Sequence, residues 1–495
     1  MAWNHEFDIA FNPRTVAIVG AQREEPQSWA DFLVNLQRAG FRGRIYPVNP
    51  RAKDGEIRGL KAYPNLASIP ETIDLVIVTV PAAVVPSVLE DCIAANAKNV
   101  HIFSAGFGET GEVERIELER RAGEIAKRGG LRVVGPNCMG LHVPAARLTT
   151  WDRFNPRSGP VAFISQSGGH VGMFTTEGSQ FGIYFSKAIS FGNALGFDST
   201  DFLEYLAADP ETSIICMYLE GVRDGRRLTE LVRQVNKTKP VIVWKGGLTS
   251  EGAKTVASHT RSLGGSREIW DAFYRQTGAV RVDTADELFD ITTSFIHLRP
   301  LEGLRIALMG AGGGNSVAGA DVCARAGLEL PTLTEKTQRE LRSFIPAEGT
   351  FITNPLDIGV VFRDMNLLLR ALKPLNDDPM IDSIVFAMPL QLLLSDPAQA
   401  ALASQDPEAV RLEIERQLSV GLDTIIRFDH ENTSGKPLII VLQPGMDMPV
   451  PGLRGRAQRK LLDASIPVYL SLERASRALS KFVQYHEYQR AARFS

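Results

Sequence analysis

The sequence is poor in cysteine, in long apolar runs and in net charge. Its four cysteines are far apart in the 495 residues and form no C-x-x-C pair, which excludes a disulfide framework and a cysteine-rich zinc site. No apolar run is long enough to span a bilayer, and the first residues lack the pattern of a signal peptide. The formal charge of −3 gives no overall attraction to nucleic acid. We expect a cytoplasmic protein without nucleic-acid or membrane partners and without a metal site in this chain.

Short apolar runs alternate with amphipathic segments along the chain. The first runs are TVAIVG (15–20), RIYPV (44–48), LVIVTV (75–80), NVHIF (99–103) and LRVVG (131–135). They have the length of buried strands, and the segments between them, such as SWADFLVNLQRAG, have the periodicity of helices. This alternation predicts an α/β fold with parallel sheets that are covered by helices on both faces and connected by right-handed crossovers.

A strand followed by a glycine-containing turn and a helix occurs three times, roughly 145 residues apart. These openings are TVAIVGAQ (15–22), VAFISQSGG (161–169) and LRIALMGAGGG (304–314). Irregular, proline-bearing stretches at 143–160 and 297–303 separate them. The spacing predicts three doubly wound α/β domains, which cover residues 1–148, 158–298 and 303–490.

The first opening lacks the features of a NAD site. Its strand is followed by AQREEPQSW, without a G-x-G-x-x-G fingerprint, and the second strand ends in YPVNP, where an NAD site carries a carboxylate. Arg51 and Lys53 follow, and these cations suit a phosphate. An NAD-linked oxidoreductase is therefore disfavoured. The turn at Val48 and Asn49 either belongs to a site for another nucleotide-like ligand or is only structural.

Small residues follow two further strands of the first domain. Val80 and Pro81 end the third strand, and SAGFGE (104–109) follows the fourth. Because ligands of open α/β sheets bind at the carboxyl ends of the strands, loops in register along one edge favour a nucleotide-like ligand.

One histidine, His259, lies in the small, polar segment ASHTRSLGGS (257–266). We predict a loop there, between the strand PVIVWKGG (240–247) and a helix over SREIWDAFYRQTG. A loop histidine is either a surface residue or a catalyst, and the segment alone does not decide. The preceding GLTSEGAKT (247–255) resembles a phosphate-binding P-loop, but Ala253 breaks its ending, so we do not predict an ATP site there.

Seven motifs together resemble the NDP-forming acyl-CoA synthetases, which include the ADP-forming acetyl-CoA synthetases and are related to succinyl-CoA synthetase. In chain order they are IYPVNP, VPAAVVPSVLEDC, SAGFGETGE, RVVGPNCMGL, VAFISQSGG, MYLEGVRDGR and ASHTRSLGGS. The resemblance covers essentially the whole chain. It implies a Rossmann-like CoA-binding domain followed by two flavodoxin-like domains of the succinyl-CoA synthetase type.

The resemblance also implies a reaction. The chain would be a ligase subunit that forms an acyl-CoA thioester from a small carboxylate, CoA and ATP through acyl-phosphate and phosphohistidine intermediates. No ATP-grasp module follows the last motif, so ATP and magnesium are expected on a separate ATP-grasp subunit of a homo- or hetero-oligomer. The alternative is a catalytically silent CoA-binding or regulatory homologue.

The family's phosphorylated histidine corresponds to His259, and the glutamate that orients it corresponds to Glu220. Imidazole is a nucleophile near neutral pH, and a carboxylate that accepts its N–H sets the tautomer. Ser258 and Thr260 are expected to donate to the phosphate. Arg261 either clamps the phosphate or substrate carboxylate or obstructs the loop.

The remaining expected contacts fall into two groups. For CoA they are Gly20, Ala21, Gln22, Arg23, Val48, Asn49, Pro50, Lys53, Val80, Pro81, Ser104, Ala105, Gly106, Asn137 and Cys138. For phosphate and substrate they are Ser165, Gln166, Ser167, Gly168, Gly169, Gly312, Gly313 and Gly314, together with the residues around His259. We interpret Cys138 as a packing residue rather than a nucleophile. The three glycines of the third opening either bind phosphate or only form a tight turn.

Three departures from the family pattern bear on activity. AQREEPQSW replaces a glycine-rich stretch near the CoA phosphates, and Arg261 stands where a glycine is usual. His170 is larger than the residue expected beside the acyl group, which suggests a substrate other than acetate. Arg261 and the altered first loop favour the silent homologue, whereas retention of His259 and Glu220 favours the enzyme.

Overall fold

A computed structural model of the chain describes residues 5–22, 31–51, 55–153, 155–259, 265–390, 407–432, 434–443 and 452–493. The chain divides into two compact units, Met1–Ser179 with Tyr184–Thr284 and Gln180–Ile183 with Ala285–Ser495. Within the described residues these units contain three mainly parallel sheets and one small hairpin. The three domain ranges predicted from the sequence stay a prediction.

The first sheet is a parallel sheet in the first unit. Its strands and the hairpin are β1 (Thr15–Val19), β2 (Arg44–Val48), β3 (Glu56–Ile57), β4 (Leu60–Lys61), β5 (Leu75–Val78), β6 (Asn99–Ile102) and β7 (Arg132–Val134). The spatial order is β2-β1-β5-β6-β7. Tyr63 forms one parallel bridge with Val48 at the free edge of β2, which completes the strand order of the dinucleotide-binding fold. The predicted Rossmann-like architecture is confirmed.

Helices cover both faces of the first sheet, so β1 and β5 are buried along their whole length. The helices are α1 (His5–Phe11), α2 (Phe32–Ala39), α3 (Val85–Ala94) and α4 (Val113–Gly129), with 3₁₀ turns at Leu66–Ser68, Ala82–Val84 and Gly108–Thr110. Asp31 caps α2 by accepting from the N–H of Val34 at 3.2 Å, and Gly40 ends that helix in the left-handed conformation.

The second sheet also lies in the first unit. Its strands are β8 (Gly140–His142), β9 (Ser158–Ser165), β10 (Phe185–Ser190), β11 (Ile214–Leu219), β12 (Val241–Lys245) and β13 (Val280–Val282), in the order β13-β12-β11-β9-β10-β8. The parallel strands β9 to β13 follow the flavodoxin-like order 2-1-3-4-5. β8 comes from the range predicted for the first domain, yet it pairs antiparallel with β10.

The helices of the second sheet are α5 (Gly168–Glu177), α6 (Ser199–Ala208), α7 (Gly225–Val235), α8 (Ser250–His259) and α9 (Arg267–Thr277). The predicted loop at His259 is wrong for the backbone, because α8 extends to that residue. Thr249 starts α8, since its hydroxyl accepts from the N–H of Gly252 at 3.0 Å and its carbonyl from the N–H of Ala253 at 2.8 Å. The helix predicted after the histidine segment is confirmed as α9.

The third sheet lies in the second unit. Its strands are β14 (Ile306–Gly310), β15 (Leu356–Asp357), β16 (Ser383–Pro389), β17 (Leu438–Gln443) and β18 (Val468–Tyr469), in the order β15-β14-β16-β17-β18, which is again 2-1-3-4-5. The helices are α10 (Ala285–His297), α11 (Gly313–Arg325), α12 (Glu335–Arg342), α13 (Met365–Asp377), α14 (Pro407–Glu431), α15 (Leu453–Asp463) and α16 (Leu472–Arg493). Further 3₁₀ turns are Gly178–Phe181 and Gly359–Arg363. No helix among the described residues is both long and apolar enough to cross a membrane.

Candidate functional site

The carboxyl ends of the first three neighbouring strands of the first sheet are tied together side by side. The N–H of Gly20 donates to the carbonyl of Val48 at 2.9 Å, and Asn49 Nδ2 donates to the carbonyl of Ala21 at 2.8 Å. Gly20 has φ 97°, and a Cβ at this position would lie 2.8 Å from Thr79 Oγ1. Only glycine therefore allows β1 and β5 to approach so closely at this edge.

The same edge continues across the last two strands. Ser104 Oγ donates to the carbonyl of Val80, and the N–H of Asn137 donates to the carbonyl of Ser104 at 2.9 Å. Gly106 has φ 98°, with only Ala82 Cβ near the position of an added Cβ. Predicted CoA residues that the structure describes thus come from all five strands to one edge.

Within this edge, the partly or fully exposed members are Gly20, Gln22, Asn49, Pro50, Val80, Pro81, Ala105, Gly106 and Asn137, whereas Ala21, Val48, Ser104 and Cys138 are buried. Arg23 and Lys53 lie outside the described residues. Burial raises the pKa of Cys138 to about 12, so its thiol stays protonated near neutral pH. This protonation agrees with a packing role.

Glu220, which follows β11, is fixed by neighbours on both adjacent strands. Gln166 Oε1 accepts from the N–H groups of Glu220 and Gly221, the second at 2.9 Å. Lys245 Nζ donates to the carbonyl of Glu220 at 2.9 Å, and the Tyr218 hydroxyl donates to Glu220 Oε1 at 3.2 Å. With 7% of its surface exposed, Glu220 is a buried carboxylate in a defined position at the sheet edge.

Lys245 is a second buried ionisable group beside this carboxylate. Desolvation lowers its pKa to about 8, although the nearby charge of Glu220 acts in the opposite direction. Lys245, which ends the strand β12, was not among the residues predicted from the sequence. The signal was present, because a lysine that ends an otherwise apolar buried strand needs a partner.

The segment after β9 forms the amino end of α5. Ser167 N donates to Ser165 Oγ at 3.0 Å, and Ser167 Oγ accepts from the N–H of His170 at 3.3 Å. The N–H groups of Gly168 and Gly169 have no hydrogen-bond partner among the described residues. The amino end of a helix with free N–H groups favours a bound anion.

His170 stands in the first turn of α5 against an aromatic wall. Its ring centroid lies 4.1 Å from that of Tyr218 and 4.6 Å from that of Trp244. Burial lowers the pKa of His170, and the charge of Glu220 opposes this shift. The neighbourhood of Glu220 therefore contains the three packed rings of His170, Tyr218 and Trp244.

The backbones of Ser258 and His259 form the end of α8. In the first unit, α8 lies beside the 3₁₀ turn Gly108–Thr110, with Cα atoms of the two elements within 8 Å. The helix that carries His259 thus runs next to the predicted CoA-binding edge. Thr260 and Arg261 lie outside the described residues.

The glycine turn of the third sheet has a different environment. Gly312 has φ 92°, and its N–H donates to Asp357 Oδ1 at 2.7 Å. Gly313 begins α11, and Gly314 has no atom within 4 Å of an added Cβ. A carboxylate therefore occupies the amino end of α11, which favours the tight-turn interpretation over a phosphate site. Among the described residues, no group of three or more histidine, cysteine or acidic side chains is arranged to hold a metal ion.

Family models match two regions of the chain. A CoA-binding domain matches residues 14–144, and a succinyl-CoA ligase-like flavodoxin domain matches residues 158–295. A solved structure of an acetyl-coenzyme A synthetase from Ca. Korarchaeum cryptofilum, in complex with phosphate and ADP, aligns with 98% of this chain and 97% of its own at a TM-score of 0.79 and 29% identity.

The chain matches two curated relatives of very different length, one of them only in part. The chain is 38% identical over 376 residues to acetate–CoA ligase [ADP-forming] I of Archaeoglobus fulgidus, covering 76% of this chain but only 54% of that protein. It is 33% identical over 490 residues to the alpha subunit of acetate–CoA ligase [ADP-forming] I of Pyrococcus furiosus, covering 97% of this chain and 98% of the subunit. The chain thus belongs to the NDP-forming acyl-CoA synthetases, the family of the ADP-forming acetate–CoA ligases.

Proposed function

We propose that the chain is the CoA-binding, phosphohistidine-bearing part of an ADP-forming acyl-CoA ligase. The observation that carries the proposal is the position of Glu220. This buried carboxylate is fixed by Gln166 beside the amino end of α5, in the same unit as the CoA-type sheet edge. A carboxylate for a histidine and N–H groups for a phosphate are the two parts that a phosphohistidine enzyme needs.

The proposed reaction has three balanced steps. His259 attacks the γ-phosphorus of ATP, ADP leaves, and a phosphohistidine forms. A carboxylate oxygen of the substrate then attacks this phosphorus, which gives an acyl phosphate and frees the histidine. Finally the thiol of CoA attacks the acyl carbon, inorganic phosphate leaves, and the thioester forms. Phosphoryl transfer requires mainly positioning and charge stabilisation, which the α5 N–H groups supply.

Glu220 is the proposed partner of His259. A carboxylate that accepts one imidazole N–H leaves the other nitrogen with a free lone pair and stabilises the cationic product. Gln166 and Lys245 already hold the backbone of Glu220 in place, so Glu220 loses little conformational freedom when the histidine approaches. Ser258, Thr260 and Arg261 complete the proposed phosphate contacts.

CoA is proposed to bind at the carboxyl edge of the first sheet, through the contacts predicted from the sequence. Gly20 and Gly106 are both partly exposed and carry no side chain, which leaves backbone accessible there. ATP and magnesium are proposed to bind a separate ATP-grasp subunit. The name of the Pyrococcus relative, an alpha subunit, supports the existence of a partner chain.

Phosphate labelling tests the proposal without the partner. The full chain is incubated with an acyl-CoA, either acetyl-CoA or a larger thioester, and labelled inorganic phosphate, because the last two steps run in reverse on this chain alone. We expect acid-labile, base-stable label on His259 in the wild type and none in His259→Ala, with CoA binding retained in both.

A chain that binds CoA but never acquires label, from acyl-CoA or from ATP with a candidate ATP-grasp subunit, would instead be a CoA-binding regulatory protein. A chain whose melting temperature rises with NAD but not with CoA would contradict both functions, because a ligand stabilises the folded state that binds it.

A further inference from the structure

Residues 192–195, which follow β10 of the second sheet, run along the carboxyl end of the first sheet. Beyond β10, Asn193 N donates to the carbonyl of Pro136 at 3.1 Å, and Leu195 N donates to the carbonyl of Gly135 at 2.8 Å. Gly192 has φ 54°, and a Cβ there would lie 2.2 Å from the Pro136 carbonyl oxygen. The segment is therefore seated closely against the end of β7.

The side chain of Asn193 bridges three groups of the CoA-binding edge. Its Nδ2 donates to Glu109 Oε2 at 2.7 Å and to Glu119 Oε2 at 2.9 Å, and its Oδ1 accepts from Asn137 Nδ2 at 3.3 Å. Both amide protons and the amide oxygen are thus used. Two carboxylates share one neutral donor, which keeps them close without an intervening cation.

The two carboxylates in turn hold the turn that follows β6. Glu109 accepts from Gly106 N at 2.6 Å and from Phe107 N at 3.1 Å, and Glu119 accepts from Gly108 N at 2.8 Å. The backbone N–H groups of three successive residues, 106–108, therefore donate to two carboxylates that in turn accept from Asn193. Burial opposes ionisation of Glu109, but the hydrogen bonds outweigh it and lower its pKa.

The same turn borders the helix of His259. Gly108–Thr110 lies beside α8, and Asn193 lines both a cleft of about 340 Å³ next to Gly108 and a cavity of about 150 Å³ next to Gln166. Asn193 thus lies between the predicted CoA-binding turn, which borders α8, and the residues around Glu220.

We infer that Asn193 is a positioning residue that couples the CoA-binding turn Gly106–Thr110 to the helix of the phosphorylated histidine. Through Glu109 and Glu119 it sets the conformation of the turn, and through the turn it sets the support on which α8 rests. This role rests on the proposed function and extends it, because CoA affinity and phosphorylation of His259 would both depend on Asn193. This residue is neither among the predicted CoA contacts nor among the predicted phosphate and substrate contacts.

The first test replaces the amide in the full chain. In Asn193→Ala the two carboxylates lose their shared donor and repel each other, so we expect about tenfold weaker CoA binding and a similar loss in the initial rate of His259 labelling. Asn12→Ala is the matched control, since Asn12 Nδ2 also donates to a carboxylate, Asp8 Oδ1 at 3.1 Å, but at an exposed site. It should leave both quantities unchanged.

Asn193→Asp separates positioning from loss of packing. Its carboxylate cannot donate, so CoA binding at pH 7.5 should be weaker still, whereas the protonated carboxyl at lower pH restores one of the two hydrogen bonds that the amide donates. We expect the affinity of this variant for CoA, relative to wild type at the same pH, to recover as the pH falls, and that of Asn193→Ala not to recover. The charged groups that face this position are Glu109, Glu119, Arg120, Asp198 and Arg223.

Two outcomes would contradict the role of Asn193. Wild-type CoA affinity and labelling in Asn193→Ala would overturn it, and so would a pH-independent defect in Asn193→Asp. If Asn193→Ala does not fold, Glu119→Ala, which removes the oxygen that accepts from both Asn193 Nδ2 and Gly108 N, takes its place and should show the same paired loss. A wild-type chain that binds CoA but takes no label overturns the proposed function instead, and the two failures are distinct.

Discussion

The second and third sheets begin with the same sequence signal, a strand, a glycine turn and a helix, but the two helices start in opposite environments. At α5 the capping residue is the neutral Ser167, and the N–H groups of Gly168 and Gly169 have no partner among the described residues. At α11 the N–H of Gly312 is bound by the carboxylate of Asp357. A residue of a neighbouring strand therefore decides whether such a turn attracts or repels an anion.

The largest expected effect compares two buried carboxylates at strand ends, Glu220 and Asp357, which are 7% and 8% exposed. Glu220→Gln keeps the size of the side chain but removes the negative charge that stabilises the cationic histidine, so we expect labelling of His259 to slow about 100-fold or more. Asp357→Asn should leave the labelling rate at its wild-type value. Initial rates with labelled phosphate and acyl-CoA measure both.

Equal labelling rates in wild type and Glu220→Gln would remove the orienting role of this carboxylate. A large loss in Asp357→Asn would show that the third turn takes part in phosphate chemistry after all, which would reverse the comparison. Thermal unfolding of each variant, measured beside the rates, checks that both remain folded.

A smaller effect is expected when the second turn is made to resemble the third. Ser167→Asp retains a good helix cap, since aspartate and serine cap equally well, but it places a negative charge where the phosphate should bind. We expect the KM for inorganic phosphate in the reverse reaction to rise about tenfold. Ser167→Asn is the neutral control of nearly identical shape, and a phosphate KM that rises equally in both variants would refute the electrostatic explanation.

Local patterns of the sequence predicted much of the fold and the start of the site. The apolar runs correspond to β1, β2, β5, β6 and β7, because a buried parallel strand needs a continuous apolar stretch. The opening VAFISQSGG was predicted to lead from a strand into a helix, and Ser167 caps that helix as α5. The family motifs added the prediction of Glu220, whose role no local pattern reveals.

Contacts between residues that are distant in the sequence were not predicted. Asp357 is 45 residues from Gly312, and Asn193 is 84 residues from Glu109. Such pairs depend on which strands become neighbours, and nothing in the local sequence specifies it. The helix that ends at His259 was missed for a different reason, because its threonine cap lay inside a segment compared with a P-loop.

Asp357→Asn should slightly lower the local stability of the third turn. Loss of the charge at the amino end of α11 is expected to cost about 0.5–1 kcal/mol of local stability. Added phosphate should then slow hydrogen exchange of the turn in Asp357→Asn, and we expect no such slowing in the wild type. Hydrogen exchange of the backbone at 313–325, with and without phosphate, measures both, and equal exchange in the two proteins would mean that Asp357 does not control anion binding there.

The smallest effects come from the glycines themselves and should differ in sign. A Cβ on Gly168 would lie 2.8 Å from Met139 Cγ, so Gly168→Ala forces that side chain to move and should lower the free energy of unfolding by about 1 kcal/mol. Gly314 has no atom within 4 Å, so Gly314→Ala should raise it by about 0.5–1 kcal/mol, because alanine is the better helix former. Gly225→Ala is the control for the first, since Gly225 also begins a helix of the same unit in open space. Urea denaturation gives all three values, and a stabilising Gly168→Ala would mean that the second turn is not packed against Met139 as closely as its geometry requires.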